Sequence, residues 1–187
     1  MGQIKAIITD FDGTLVDTII ANCFAYSKAF EACGLELDSN LYKENYGLRF
    51  DDLCKKIGIE DNEIKKKIRS LKANIYPKFF NHIRINDKLL IFIRMCKEQG
   101  IKTCIASTAA KKNLYGVLKH FNLDSYFDII ISGDDVSKGK PCPEVYIKAL
   151  DLLDCEPEEA LVFEDSEVGC EAAEAAGIQY IKINEIN

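Results

Sequence analysis

Hydrophobic and polar positions divide the chain into three textures. Residues 4–9 are a short apolar run rich in isoleucine, which predicts a strand buried on both faces. The run breaks at Asp10-Phe11-Asp12-Gly13-Thr14, where the glycine signals a sharp change of direction. From about residue 17 to residue 82 the period is helical. Ala21, Phe24, Ala25, Lys28, Ala29 and Ala32 form a stripe that stops near Gly34. A short helix over 51–57 closes at Gly58, and a third over 61–80 is interrupted at Pro77. No strand pattern is expected in this block.

After about residue 85, strands and helices alternate. Helices are expected over 87–98, 110–121, 143–153 and 166–176, with Gly100 and Gly177 stopping the first and last. Strands are expected over 102–106, 127–132, 160–163 and 179–183. Strands separated by single helices imply right-handed crossovers and a parallel sheet. The fold class is therefore α/β: a three-layer, Rossmann-like, five-stranded parallel sheet with a small all-helical insertion after strand one. The core is assigned to residues 1–15 and 84–187 and the insertion to 16–83.

Such a sheet presents its ligand site at the carboxyl ends of its strands. The residues expected there are Asp10 and Asp12, Ser107, and Glu164 with Asp165, while Lys140 lies in the loop before the helix at Pro143. Asp10 and Asp12, two apart, project to one face if the backbone is extended. Clustered carboxylates repel one another unless a cation is present, and a hard dication with oxygen ligands, magnesium above all, relieves the repulsion. A phosphoryl group needs cations and hydrogen-bond donors around its oxygens, which Ser107 and Lys140 supply. Two aspartates can then divide the work. One attacks phosphorus, and the other protonates the leaving oxygen and later deprotonates water, a task that suits Asp12 if it stays off the metal.

Composition narrows this picture further. The 187 residues, 48% hydrophobic and 29% charged, suit one soluble domain with a small insertion. A net charge of -6 argues against nucleic acid as partner but not against a small anion met by a local metal and lysines. Eight scattered cysteines without a C-x-x-C pair, and only His82 and His120, speak against zinc or a disulfide framework. Reduced thiols and a start that lacks a signal peptide's layout lead us to expect a cytoplasmic protein. Position six is Ala6, so the myristoylation motif fails at Gly2. No apolar stretch reaches the ~18 residues of a membrane span.

Asp10-Phe11-Asp12-Gly13-Thr14-Leu15-Val16-Asp17-Thr18, Ser107, Lys140-Pro141-Cys142-Pro143 and Glu164-Asp165-Ser166 resemble, in order, the four motifs of the haloacid dehalogenase superfamily. The resemblance runs from Ile4 to about Ile183. The helical insertion looks like the small helical cap of its β-phosphoglucomutase-like and phosphoglycolate-phosphatase-like members. It implies Asp10 as nucleophile and Asp12 as general acid/base, with Ser107, Thr108 and Lys140 at the phosphoryl group. It also implies a magnesium ion held by Asp10, the backbone carbonyl of Asp12 and Asp165, with Glu164 contributing directly or through water. Thr14 would hold the turn and orient Asp12, and Arg49 and Lys72 are cap candidates for substrate contact. Lys65-Lys66-Lys67 reads as a solvated helix face.

The implied activity is magnesium-dependent hydrolysis of a small phosphorylated metabolite by a monomer or weak homodimer. The alternatives are a phosphosugar mutase of the β-phosphoglucomutase type and, outside enzymes, a phospho-accepting receiver domain. Mutases follow the serine with Ala-Ser-Lys-Asn, whereas Ser107 is followed by Thr108-Ala109-Ala110-Lys111, and Asn22 stands where they have a histidine. Losing those grips on a second phosphate favours water as acceptor. Receivers place their acceptor after the third strand, where this chain has Ser132-Gly133-Asp134-Asp135, and they lack the insertion. Asn86-Asp87 replaces a common Pro-Gly and Glu144 a frequent aspartate. The sequence ends soon after the fifth strand, which invites a partner at that edge.

Overall fold

The computed structural model describes residues 3–46, 48–184 and 186. The chain forms two compact units, Met1–Asp17 with Arg84–Asn187, and Thr18–Ile83. In the first unit the strands are β1 (Ala6–Thr9), β2 (Val16–Asp17), β3 (Arg84–Ile85), β4 (Lys102–Ala106), β5 (Ile129–Ile131), β6 (Ala160–Glu164) and β7 (Gln179–Lys182). Among the described residues five of them make one parallel sheet in the order β5-β4-β1-β6-β7. The chain builds outward from β1 through β4 to β5, then returns to the other side of β1. That reversal opens a crevice beyond the strand ends, where the expected site residues lie.

Among the described residues four α-helices belong to this unit. Anticipating the second unit's α1 to α4, they are α5 (Asp87–Glu98), α6 (Lys111–His120), α7 (Glu144–Leu153) and α8 (Glu167–Ala175). Alternation along the strands sends Ala6, Ile8, Cys104, Ala106 and Val162 into a buried cluster with Val145, Tyr146, Ala149 and Leu150 of α7 and Ala172 and Ala173 of α8. On the opposite face Phe92 of α5 meets Phe163 of β6 with ring centroids 5.6 Å apart. The central strands β1, β4 and β6 are thus covered on both sides, as their apolar runs require, whereas the edge strand β7 is exposed throughout.

Two elements had no counterpart in the sequence pattern. β2 and β3 pair antiparallel, Val16 with Ile85 and Asp17 with Arg84, and Arg84 donates to Asp17 Oδ2 at 2.7 Å. Two residues per strand are too few to show a period. Asn86, standing where Pro-Gly is common, caps α5 by accepting from Leu89 N and ties it to the turn after β1 by donating to the Thr14 carbonyl.

The second unit is helical: α1 (Ile19–Glu31), α2 (Ser39–Glu44), α3 (Phe50–Lys56) and α4 (Asn62–Ile75), followed by a 3-10 segment, Tyr76–His82, with Pro77 in its first turn. Proline lacks the N–H that would continue α4 and fits an opening turn, so the helix changes type there. The six-residue α2 was missed, although Asp38 caps it by accepting from Asn40 N and Leu41 N. Ala29, Phe30, Leu37, Tyr42, Leu53 and Ile68 form this unit's own core. Lys66 and Lys67 are exposed and Lys65 half-buried, and Lys66 pairs with Glu63.

None of the eight cysteines is in a disulfide. No helix among the described residues is long and apolar enough to cross a membrane.

Candidate active site

Each sheet residue of the site is fixed by one ladder hydrogen bond carried past the end of its strand. Asp10 N donates to the Phe163 carbonyl at 2.9 Å, continuing the β1–β6 pairing. Ser107 N donates to the Ile131 carbonyl at 3.0 Å, continuing β4–β5, and Ile183 N donates to the Glu164 carbonyl, closing β6–β7. The backbone leaves the sheet only after placing these side chains at its carboxyl edge.

Asp10, Glu164 and Asp165 gather there, with one carboxylate oxygen from each lying within 4.8 Å of the others. Lys140 enters from the loop before α7, its side chain 4% exposed. Its Nζ donates to Asp10 Oδ1 at 2.5 Å, Glu164 Oε1 at 2.5 Å and the Ala106 carbonyl at 3.1 Å. Three donors meet three acceptors, so the ammonium is fully committed.

Glu164 is saturated as well. Besides Lys140, Oε1 accepts from Tyr146 Oη at 2.8 Å, and Oε2 accepts from Asp165 N, Ser166 N and Ser166 Oγ at 3.0–3.2 Å. Ser166 is also the N-cap of α8, accepting from Gly169 N. Gly169 lets this carboxylate lie against the helix, since a Cβ there would stand 1.9 Å from Glu164 Oε1. Asp165 is placed differently: Thr14 Oγ1 donates to its Oδ1 at 2.8 Å, and a Cβ on Gly13 would stand 2.2 Å from Oδ2. Gly13 also carries φ +97°, a left-handed conformation open to glycine. Thr14 therefore supports Asp165.

Electrostatics follow from this geometry. Burial pushes the Asp10 carboxyl well above the usual range, with Lys140 opposing and Glu164 and Asp165 adding to the rise. Burial and the neighbouring Glu164 raise Asp165 to about 6 against the pull of Thr14. Glu164 goes the other way: burial would raise it, but Lys140, Tyr146 and the Ser166 N–H outweigh burial and keep it ionised. Burial would lower Lys140, yet Asp10, Tyr146 and Glu164 hold it well above its ordinary value. A buried group of three acids and one ammonium has surplus negative charge, and all its donor atoms are oxygen. That donor set fits a hard dication.

Asp12 lies half-buried at the turn, bridged to Val16, and is not one of the three clustered carboxylates. The backbone here is a turn rather than an extended strand, so the projection of Asp10 and Asp12 to one face does not follow from strand alternation. Ser107, 1% exposed, adjoins the carbonyl that accepts from Lys140, and its Oγ accepts from Ala109 N. Thr108 follows, held where a Cβ on Gly133 would stand 2.2 Å from its carbonyl oxygen. Arg49 and Lys72 belong to the helical unit. Arg49 is half-buried at the start of α3, and Lys72 is buried, its Nζ 3.5 Å from the Tyr76 ring centroid and 5.1 Å from that of Tyr26.

Sequence reasoning overlooked Tyr146, Ser166 and the use of Glu144. A tyrosine within the buried stripe Val145, Ala149, Leu150 needs a partner for its hydroxyl, and that was a readable signal. Glu144 accepts from Ser137 N at 2.6 Å and Lys138 N at 2.8 Å, anchoring the loop that carries Lys140.

Comparison with known proteins bears out the family resemblance. The family model described as "Haloacid dehalogenase-like hydrolase" matches residues 7–183. A phosphorylated carbohydrates phosphatase of Thermotoga maritima is 31% identical over 183 residues, covering 95% of this chain and 83% of the relative. A phosphoglycolate phosphatase of Aquifex aeolicus is 27% identical over 197 residues, covering 96% and 88%. Among solved structures, CbbY from Rhodobacter sphaeroides in complex with phosphate superposes with a TM-score of 0.86 at 26% identity, covering 96% of this chain and 86% of that one.

Proposed function

The chain belongs to the haloacid dehalogenase-like hydrolases, and on that premise we propose that it is a magnesium-dependent phosphatase of a small phosphorylated metabolite, working through an aspartyl phosphate at Asp10. The observation that carries the reading is the convergence of Asp10, Glu164 and Asp165 within 4.8 Å about an ammonium whose Nζ is 2.5 Å from Asp10 Oδ1. Relatives whose names give a phosphorylated carbohydrate or phosphoglycolate as substrate support a phosphate monoester.

In this mechanism an Asp10 carboxylate oxygen attacks phosphorus, the bond from phosphorus to the leaving oxygen breaks, and Asp12 gives that oxygen its proton. Asp12 then takes a proton from water, which attacks the aspartyl phosphate, releases orthophosphate and restores Asp10. Lys140, Ser107 and Thr108 bind the phosphoryl oxygens, and the Lys140 ammonium opposes the rise that burial imposes on the Asp10 carboxyl. Magnesium would be held by Asp10, Asp165 and the backbone carbonyl of Asp12, and supplies positive charge against the phosphoryl oxygens. Glu164, its oxygens already filled by five donors, would serve the cation from outside the direct ligands. Arg49 and Lys72 are the helical unit's substrate candidates, the unit acting as cap over residues 16–83.

Hydrolysis is favoured over mutase action by Lys111. The lysine falls one position later after Ser107 than in mutases, and its exposed Nζ lies 3.5 Å from Asp135 Oδ1, beyond β5, and 5.9 Å from the Tyr115 ring centroid. The test is turnover of p-nitrophenyl phosphate and a panel of sugar phosphates and phosphoglycolate. Orthophosphate release should need Mg2+, stop with EDTA, and fall by about a thousandfold or more in Asp10→Asn with the circular dichroism spectrum unchanged. Turnover that survives Asp10→Asn would refute the mechanism.

A further inference from the structure

Tyr146 is fully buried on α7 and touches two members of the site without being positioned by the motifs that built it. Its hydroxyl donates to Glu164 Oε1 at 2.8 Å, and its ring centroid lies 5.0 Å from Lys140 Nζ.

The protons on Lys140 are all taken, by Asp10 Oδ1, Glu164 Oε1 and the Ala106 carbonyl. To bind a phosphoryl oxygen the ammonium must release one of them, so Glu164 competes with substrate for Lys140. The positive charges of two donors on one carboxylate oxygen repel each other, so each is held less tightly than it would be alone. We infer that Tyr146 is a positioning residue: its hydroxyl shares Glu164 Oε1 with Lys140 while its ring lies against the ammonium, and together they set how readily Lys140 turns onto a phosphoryl group. This rests on the proposed role of Lys140 at the phosphoryl group. The consequence is specific. Removing the hydroxyl leaves Oε1 to Lys140 alone, draws the ammonium toward Glu164 and weakens the grip on phosphate, while Asp10 and Asp165, which would hold the cation, keep their carboxylates.

Tyr146→Phe keeps the ring and removes only the hydroxyl. Its affinity for inorganic phosphate, measured by calorimetry with Mg2+ present, should fall about fivefold, and kcat/KM toward p-nitrophenyl phosphate about tenfold. Its affinity for Mg2+ alone should stay within about twofold of wild type. Leu150→Ala, one turn along α7, loosens the same helix without touching Glu164; it should lower the melting temperature and leave phosphate affinity within about twofold. Unchanged phosphate affinity in Tyr146→Phe overturns the inference. So does an equal loss in Leu150→Ala, which would make the effect general loosening of α7, and so does a loss confined to Mg2+ affinity. A wild-type protein that binds phosphate but hydrolyses no ester sinks the proposed function, while the phosphate titration still decides on Tyr146. Failure of wild type to bind phosphate at all overturns both.

Discussion

Removing the metal should make the folded protein sensitive to pH in a calculable way. Asp165 has its carboxyl raised from 3.8 to about 6 by burial and Glu164, in a protein without a cation. The folded state therefore keeps a proton that the unfolded chain has already released, and stability is lost as pH rises from about 4 through about 6. The gap corresponds to about 3 kcal/mol at 1.36 kcal/mol per pH unit, of which about 2 kcal/mol develops between pH ~4.5 and pH ~7.5. Asp10 is raised in the same sense and adds to the loss, whereas Glu164, held below its ordinary value, opposes it. A dication bound by Asp10 and Asp165 neutralises the repulsion that causes the loss. The stabilisation from Mg2+ should accordingly be small at pH ~4.5 and reach its plateau above pH ~6.5. For a chain of this length about 2 kcal/mol corresponds to roughly 4–8 °C in melting temperature. The assay is differential scanning fluorimetry in EDTA and in saturating Mg2+ across that range, read as the difference between the two so that distant carboxylates cancel. Asp165→Asn should flatten the difference. A Mg2+ shift of equal size at both pH values would refute the argument, because the cation would then be bound without displacing a proton.

Two further substitutions probe how the site is held. Gly13→Ala puts a Cβ 2.2 Å from Asp165 Oδ2 at φ +97°, so it should cost about 1–3 kcal/mol and weaken Mg2+ binding about tenfold, measured by melting and calorimetry. Glu144→Ala removes the acceptor for Ser137 N and Lys138 N; we expect about 1 kcal/mol of lost stability and a fall of a few-fold in kcat/KM, with Glu144→Asp retaining most of both.

The parallel sheet was legible because β1 and its neighbours are buried on both faces, which writes unbroken apolar runs such as Ala6–Thr9 into the chain. That Asp10 and Asp165 come together was legible because the crossover topology places strand ends side by side, whatever the side chains do afterwards. What was not legible depends on contacts distant in sequence. Thr14 bonds Asp165, 151 residues away, and nothing local announces that partner. Tyr146 is separated from Glu164 by 18 residues and a strand, so its hydroxyl acquires a partner only once α7 packs on the sheet. The two-residue ribbon of β2 and β3 and the six-residue α2 are shorter than one readable period.

Glu164 and Asp165 show why adjacency in sequence did not predict equivalence in the site. Two successive residues leaving a strand point to opposite sides. Glu164 turns back into the protein, where a lysine, a tyrosine and the first turn of α8 satisfy its charge and keep it ionised. Asp165 turns toward Gly13 and Thr14, receives one side-chain donor, and keeps its proton until about pH 6. The first has the electrostatics of a fixed counter-ion for Lys140, and the second those of a group that exchanges a proton for a cation. On this reading Glu164→Gln should loosen the hold on Lys140 and hence tighten phosphate binding, with Mg2+ binding changed less, whereas Asp165→Asn should weaken Mg2+ binding most. Paired calorimetric titrations of the two variants separate the roles, and equal losses of both ligands in both variants would show the acids to be interchangeable.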